Sequence, residues 1–157
     1  MGIRLRDVIG FCPKGMLKID GKSLIVRSLE HLKKGGIDRV VIVTGFQAAM
    51  YLEHLQPQAK LPKIEFIYSP RFAETGSMHS LFVAKDALQD DFLLLESDLL
   101  YESRALSTVI NYDGPDVVLA SGKTRSNDEV YIYGENQEER SEHDEYFRIF
   151  KRCRSIS

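Results

Sequence analysis

Four stretches of this 157-residue chain combine residue types that can handle phosphate, a divalent cation or a polar base. Near the start, Gly2-Ile3-Arg4-Leu5 is followed by Pro13-Lys14-Gly15-Met16-Leu17. Glycine lets backbone amides approach phosphate oxygens, and Arg4 and Lys14 could neutralise a triphosphate from two sides. Alone, Pro-Lys-Gly is commonly just a surface turn. The second stretch, Glu96-Ser97-Asp98, directly follows the apolar run Phe92-Leu93-Leu94-Leu95. A carboxylate just beyond a buried strand suits Mg²⁺, which takes one or two carboxylates together with phosphate oxygens. Asp98 is the candidate, against the plainer reading that it opens the turn into the next helix. Glu96 reads as a brace for that loop. In the third stretch, Glu74-Thr75-Gly76-Ser77-Met78, hydroxyls and loop amides around a glycine could read a base edge, although a Ser before a helix is more often a cap. In the fourth, Lys123-Thr124-Arg125-Ser126-Asn127-Asp128-Glu129, two carboxylates beside basic and hydroxyl groups suit a zwitterion, while a solvated loop is the ordinary meaning of such a run.

Alternating apolar segments supply the elements that must position these groups. Arg39 to Thr44 is a continuous β-branched run ended by Gly45, the pattern of a strand buried on both faces. Before it, Ser23 to Lys34 places Leu24, Ile25, Leu29 and Leu32 at helical spacing, with Gly35-Gly36 as a stop. A helix from Gln47 to Leu55 and a strand from Ile64 to Tyr68 follow. Next come a helix capped by Ser77 and running to about Leu88, and a strand from Asp91 to Leu95. A helix from Ser103 to Asn111, a strand from Val117 to Ala120 and an alternating strand from Glu129 to Tyr133 complete the series. Strands alternating with helices imply an α/β fold, with a mostly parallel sheet sandwiched by helices and ligands bound beyond the strands' carboxyl ends.

Composition narrows the class. With 43% hydrophobic and 28% charged residues the chain can bury a core, which argues against disorder. A net charge of −2 offers no general attraction to nucleic acid or to a membrane, so any polyanion site must be local. The apolar runs are too short to span a bilayer, and the first residues do not form a signal peptide. Cys12 and Cys153 lack metal-ligand spacing and read as reduced thiols, most simply in a cytoplasm. The four histidines, His31, His54, His79 and His143, are scattered and read as structural or surface residues.

Taken together and in order, these stretches resemble the sugar-phosphate nucleotidyltransferase superfamily, whose fold is a Rossmann-like nucleotidyltransferase. Gly2, Arg4, Leu5, Pro13 and Lys14 match the second half of its opening motif, Leu-Ala-Ala-Gly-x-Gly-x-Arg-Leu and then Pro-Lys. Glu74 to Met78, Leu93 to Tyr101 and Ser126 to Tyr131 look most like cytidylyltransferases acting on 2-aminoethylphosphonate or phosphocholine. The resemblance covers 1–134, the nucleotidyltransferase domain, and leaves 135–157 as a divergent charged tail. It implies that Gly2, Arg4, Lys14, Thr75, Gly76 and Ser77 bind the nucleotide. By the same resemblance Arg4, Lys14 and Asp98 are catalytic, Asp98 holds Mg²⁺, and Asp128 and Glu129 lie near the acceptor. The implied reaction joins CMP from CTP to the phosphonate or phosphate and releases pyrophosphate. The alternatives are a sugar-phosphate nucleotidyltransferase or a truncated, non-catalytic nucleotide-binding module. A nicotinamide-dependent dehydrogenase shares the α/β pattern, but its Gly-rich fingerprint is not present.

The chain departs from the family at both ends. The family's first strand, its first glycines and its second metal carboxylate have no counterpart, so the domain is expected to be incomplete, with its first strand missing. Met1 is then expected to be an internal methionine of a longer frame, preceded by a strand ending in Leu-Ala-Ala-Gly. The missing strand is central in this fold, so its neighbours would present unpaired edges and invite association, a homo-oligomer included.

Overall fold

A computed structural model describes residues 12–56, 59–114, 116–119 and 150–153. A two-stranded hairpin, β1 (Lys18–Ile19) and β2 (Lys22–Ser23), leads into helix α1 (Leu24–Lys34). Leu24, Ile25, Leu29 and Leu32 are buried along one face of α1, as their helical spacing requires, and basic residues occupy its last turn, where the helix dipole favours them. Strand β3 (Arg39–Thr44) follows, then α2 (Ala48–His54) and β4 (Lys63–Tyr68). β3 and β4 pair in parallel, in register from Arg39 opposite Lys63 to Thr44 opposite Tyr68. This is the βαβ unit that the alternating pattern implied.

The second half contains α3 (Ser77–Ala84), a tighter turn at Lys85–Ala87, β5 (Phe92–Leu94), α4 (Ser103–Ile110), β6 (Val117–Leu119) and β7 (Phe150–Cys153). The charged segment 135–157 therefore supplies a strand. β7 lies between β5 and β6 and is antiparallel to both, so β5 and β6 share one direction. The alternating strand read at Glu129 to Tyr133 lies outside the described residues.

The main core packs α1, α2 and α4 against β3 through Ile25, Leu29, Leu32, Ile42, Leu55 and Leu106. A side chain on Gly35 would meet Leu106 and Ile110 at 3.3 Å, so α1 ends directly against α4. At the carboxyl end of β3, a Cβ on Gly45 would fall 2.3 Å from that of Phe72, so only glycine lets the loop after β4 cross there.

β3 is less buried than its β-branched run predicts. Only Ile42 and Thr44 are fully buried, and Arg39 is exposed. Among the described residues β3 pairs only with β4, and β5 only with β7. Both strands line one cavity of about 530 Å³, with consecutive residues 39–43 and 92–95 on its walls and Leu29, Leu81 and Ala84 of the flanking helices closing it. No described helix is long and apolar enough to cross a membrane.

Leu29, only 1% exposed, should behave as a keystone of the core. Leu29→Ala is expected to cost about 2–5 kcal/mol. Val118→Ala, at an exposed position, should cost about 0.5 kcal/mol or less. Urea denaturation midpoints followed by circular dichroism compare the two, and similar shifts would contradict this core assignment.

Candidate nucleotide and metal site

Pro13 is extended (φ −61°, ψ 142°) and leads into a single 3₁₀ turn, Lys14–Met16, closed by hydrogen bonds from Met16 N to Pro13 O (2.9 Å) and Leu17 N to Lys14 O (3.0 Å). Gly15 and Met16 are buried, which fixes the turn to the core and leaves the Lys14 side chain partly in solvent. The turn after β5 is anchored in the same way by Leu99, while Glu96 and Ser97 remain exposed. The two turns meet. Lys14 Nζ donates to Asp98 Oδ2 at 2.9 Å, with side-chain exposures of 38% and 18%.

Their approach depends on Gly15. A Cβ there would sit 3.0 Å from the Tyr51 hydroxyl oxygen, 3.1 Å from the Ser97 carbonyl oxygen and 3.4 Å from Ser97 Cβ. Most side-chain contacts are looser, so alanine would wedge the turns apart. Sequence reasoning passed over Gly15 and Tyr51 as site residues. Gly15 stood inside a quoted stretch, whereas Tyr51 looks like any apolar-face helix residue.

The Thr75-Gly76-Ser77 loop joins the same site. Ser77 Oγ donates to Glu96 Oε1 at 3.1 Å, tying the start of α3 to the turn that carries Asp98. Glu96 is thus the brace that its position suggested. The expected cap is corrected by one residue: Gly76 occupies the N-cap (φ −105°, ψ −169°), and Ser77 is the first helical residue. Ser77 has turned its hydroxyl to Glu96, and no side chain caps the helix. Thr75 Oγ1 donates to the Arg71 carbonyl at 2.7 Å. Its proton is therefore committed, and towards a ligand it can only accept. Gly76 is exposed, and a Cβ there would find no protein atom within 4 Å.

Lys14, Asp98 and Ser77 are thus brought to one place, with Thr75 and Gly76 leading into Ser77. Gly2, Arg4, Asp128 and Glu129 lie outside the described residues. Two histidines serve structural contacts: His54 Nε2 hydrogen-bonds Ser23 Oγ at 2.9 Å, and His31 meets the Tyr101 ring edge-on at 5.5 Å. Among the described residues no group of three or more His, Cys, Asp or Glu side chains could by itself hold a metal. The donor set does fit a Mg²⁺ ion that arrives with a nucleotide. One strand-end carboxylate suffices for Mg²⁺ when phosphate oxygens and water complete its shell.

Residues 2–143 match the MobA-like NTP transferase domain. The chain is 26% identical over 102 residues to the UTP–glucose-1-phosphate uridylyltransferase AglF of Haloferax volcanii, covering 65% of this chain and 41% of that protein. It is 26% identical over 125 residues to the CMP-5'-(3-aminopropyl)phosphonate synthase of Streptomyces rubellomurinus, covering 80% of this chain and 20% of that one. The chain therefore spans less than half the length of these relatives. The crystal structure of HddC from Yersinia pseudotuberculosis has the same fold, with a TM-score of 0.57 at 21% identity, covering 77% of this chain and 56% of that one. The match over residues 2–143, on an α/β domain with the fold of a solved relative, places this chain in the MobA-like NTP transferase family.

Proposed function

We propose that the protein containing this chain transfers a cytidylyl group from CTP to a small phosphonate or phosphate acceptor, of the 2-aminoethylphosphonate or phosphocholine kind. The observation that carries the reading is the Lys14–Asp98 pair, 2.9 Å apart at the carboxyl end of β5 and tied through Glu96 to the Thr75-Gly76-Ser77 loop. A cation and a carboxylate held side by side match what a metal–triphosphate requires, with the ammonium on phosphate oxygens and the carboxylate on the metal. The pair is partly exposed and worth about 0.2–1 kcal/mol, so an arriving nucleotide can separate it at small cost.

In the reaction, an acceptor oxygen attacks the α-phosphorus in line, the bond to the bridging oxygen breaks, and pyrophosphate leaves. Nucleotidyl transfer depends mainly on positioning and charge neutralisation, so no covalent nucleophile is called for. Lys14, with Arg4 by resemblance, neutralises the triphosphate. Asp98 would hold Mg²⁺, which when bound offsets phosphate charge. The Thr75 hydroxyl, able only to accept, suits the exocyclic amine of cytosine, and Gly76 leaves room for a ring beside it. Asp128 and Glu129 are assigned by resemblance to the acceptor amine. Identity to the aminopropylphosphonate synthase supports the phosphonate acceptor. A second reading, sugar-phosphate nucleotidyl transfer, draws on the uridylyltransferase relative.

Pyrophosphate release separates these readings, with CTP, UTP, GTP and ATP each offered against aminoethylphosphonate, phosphocholine and sugar 1-phosphates. CTP with an amine-bearing acceptor should turn over fastest, and faster turnover of UTP with a sugar phosphate would favour the second reading. Asp98→Asn keeps shape and removes charge. It should lower turnover by about 10²–10³ with an unchanged melting curve, as loss of one electrostatic stabiliser does; a near-normal rate at unchanged Mg²⁺ dependence would make Asp98 a turn residue only. Asp128→Asn and Glu129→Gln should raise KM for the amine-bearing acceptor more than KM for CTP. Two unchanged constants would return that loop to solvent.

A further inference from the structure

Tyr51 belongs to none of the stretches marked for chemistry, yet it lies where the two site turns meet. It sits on α2, 7% exposed, in the main core with Met16, Ile25 and Leu55. Its hydroxyl reaches out of that core. The oxygen lies 3.0 Å from where a Cβ on Gly15 would be, in the same gap as the Ser97 carbonyl oxygen. The phenol oxygen is placed to accept from the Ser97 hydroxyl and the Gly15 backbone N–H, one partner from each turn, and both oppose the rise in its pKa. Burial is the larger effect and raises its pKa, so the hydroxyl stays neutral.

We propose that Tyr51 is the positioning residue of this site. Its buried hydroxyl clasps the Lys14–Met16 turn to the Glu96–Asp98 turn, and so sets the distance between the Lys14 ammonium and the Asp98 carboxylate. The ring suits this role because a packed aromatic side chain has two torsions, both fixed by its neighbours, and its oxygen inherits the rigidity of the core. Glycine at position 15 gives the hydroxyl direct access to backbone. The partly exposed Lys14–Asp98 pair is too weak to hold the turns together alone. The clasp itself rests on the contacts alone; its consequence for a metal–nucleotide rests on the proposed nucleotidyl transfer.

The test uses Tyr51→Phe, which keeps the packed ring and removes the oxygen, and Ser97→Ala, which removes one partner without touching the core. Amide hydrogen exchange on chain 1–157 should rise about five- to tenfold at Gly15, Met16 and Asp98–Leu99, the worth of one hydrogen bond. Amides in α1 and across β3 and β4 should keep their rates. The double variant should exchange no faster than Tyr51→Phe, because both changes break the same bridge. Unchanged local exchange in Tyr51→Phe, or a uniform rise throughout the core, would reduce Tyr51 to a packing residue and overturn the proposal. In the kinetic arm, the half-saturating Mg²⁺ concentration for pyrophosphate release should rise several-fold in Tyr51→Phe. An active wild type with an unmoved Mg²⁺ midpoint in the variant also overturns the positioning role. If the wild type turns over no nucleotide, the transfer reading fails and hydrogen exchange alone decides the clasp.

Discussion

The site depends on one close approach, the fit of a glycine at position 15 against Ser97 and the Tyr51 hydroxyl. Lys14 and Asp98 are 84 residues apart in the chain, and their charges meet only because two backbone turns can come within van der Waals distance. The attraction between them does not create this geometry, since a partly exposed ion pair contributes too little. Burial creates it. Met16 on one turn and Leu99 on the other are each below 10% exposed, and each pins its turn from beneath. The polar groups are thus held by apolar neighbours one residue or two away.

The same division of labour extends to the rest of the crevice. β5 delivers Glu96, Ser97 and Asp98 to the strand-end side, and α3 begins beside them, where the Ser77 hydroxyl donates a hydrogen bond to Glu96. Gly76 at the N-cap has no side chain to cap the helix, and the Ser77 bond instead fastens the helix start to the neighbouring turn. Charge balance follows from the arrangement. Lys14 and Asp98 neutralise each other across the two turns.

Among the described residues β3 and β5 belong to separate sheets that face each other across one cavity. β3 and β5 both line a cavity of about 530 Å³, with apolar side chains such as Leu29, Val41 and Leu93 and polar ones such as Ser77 and Glu96 on its walls. This accounts for the half-burial of β3, whose Val40, Val41 and Val43 are of a kind found in strands covered on both faces. β7 meets the corresponding need at the other edge of β5 by inserting between β5 and β6. A strand paired on one edge still has backbone groups to satisfy on the other.

Local pattern determined much of this from sequence alone. β3 falls at Arg39–Thr44 as read, because a β-branched run followed by an obligatory glycine marks its own ends. α1 and α4 match the expected spans to within one residue, because their apolar spacing lies within single turns. The second helix and fourth strand were also legible, and Lys14, Asp98 and Ser77 stood out as polar groups that the fold then brings together. Tertiary structure decided what no local window carries. It shortened the helix after Gly76 to Ala84 and recruited Phe150–Cys153, whose Lys151 and Arg152 disguise a strand. It chose Glu96 as the partner of Ser77 and made Gly15 and Tyr51 the meeting point of the two turns. The physical reason is range. Periodicity records which face of an element is buried, whereas the contact between a phenol oxygen and a glycine 36 positions earlier exists only after the core has closed.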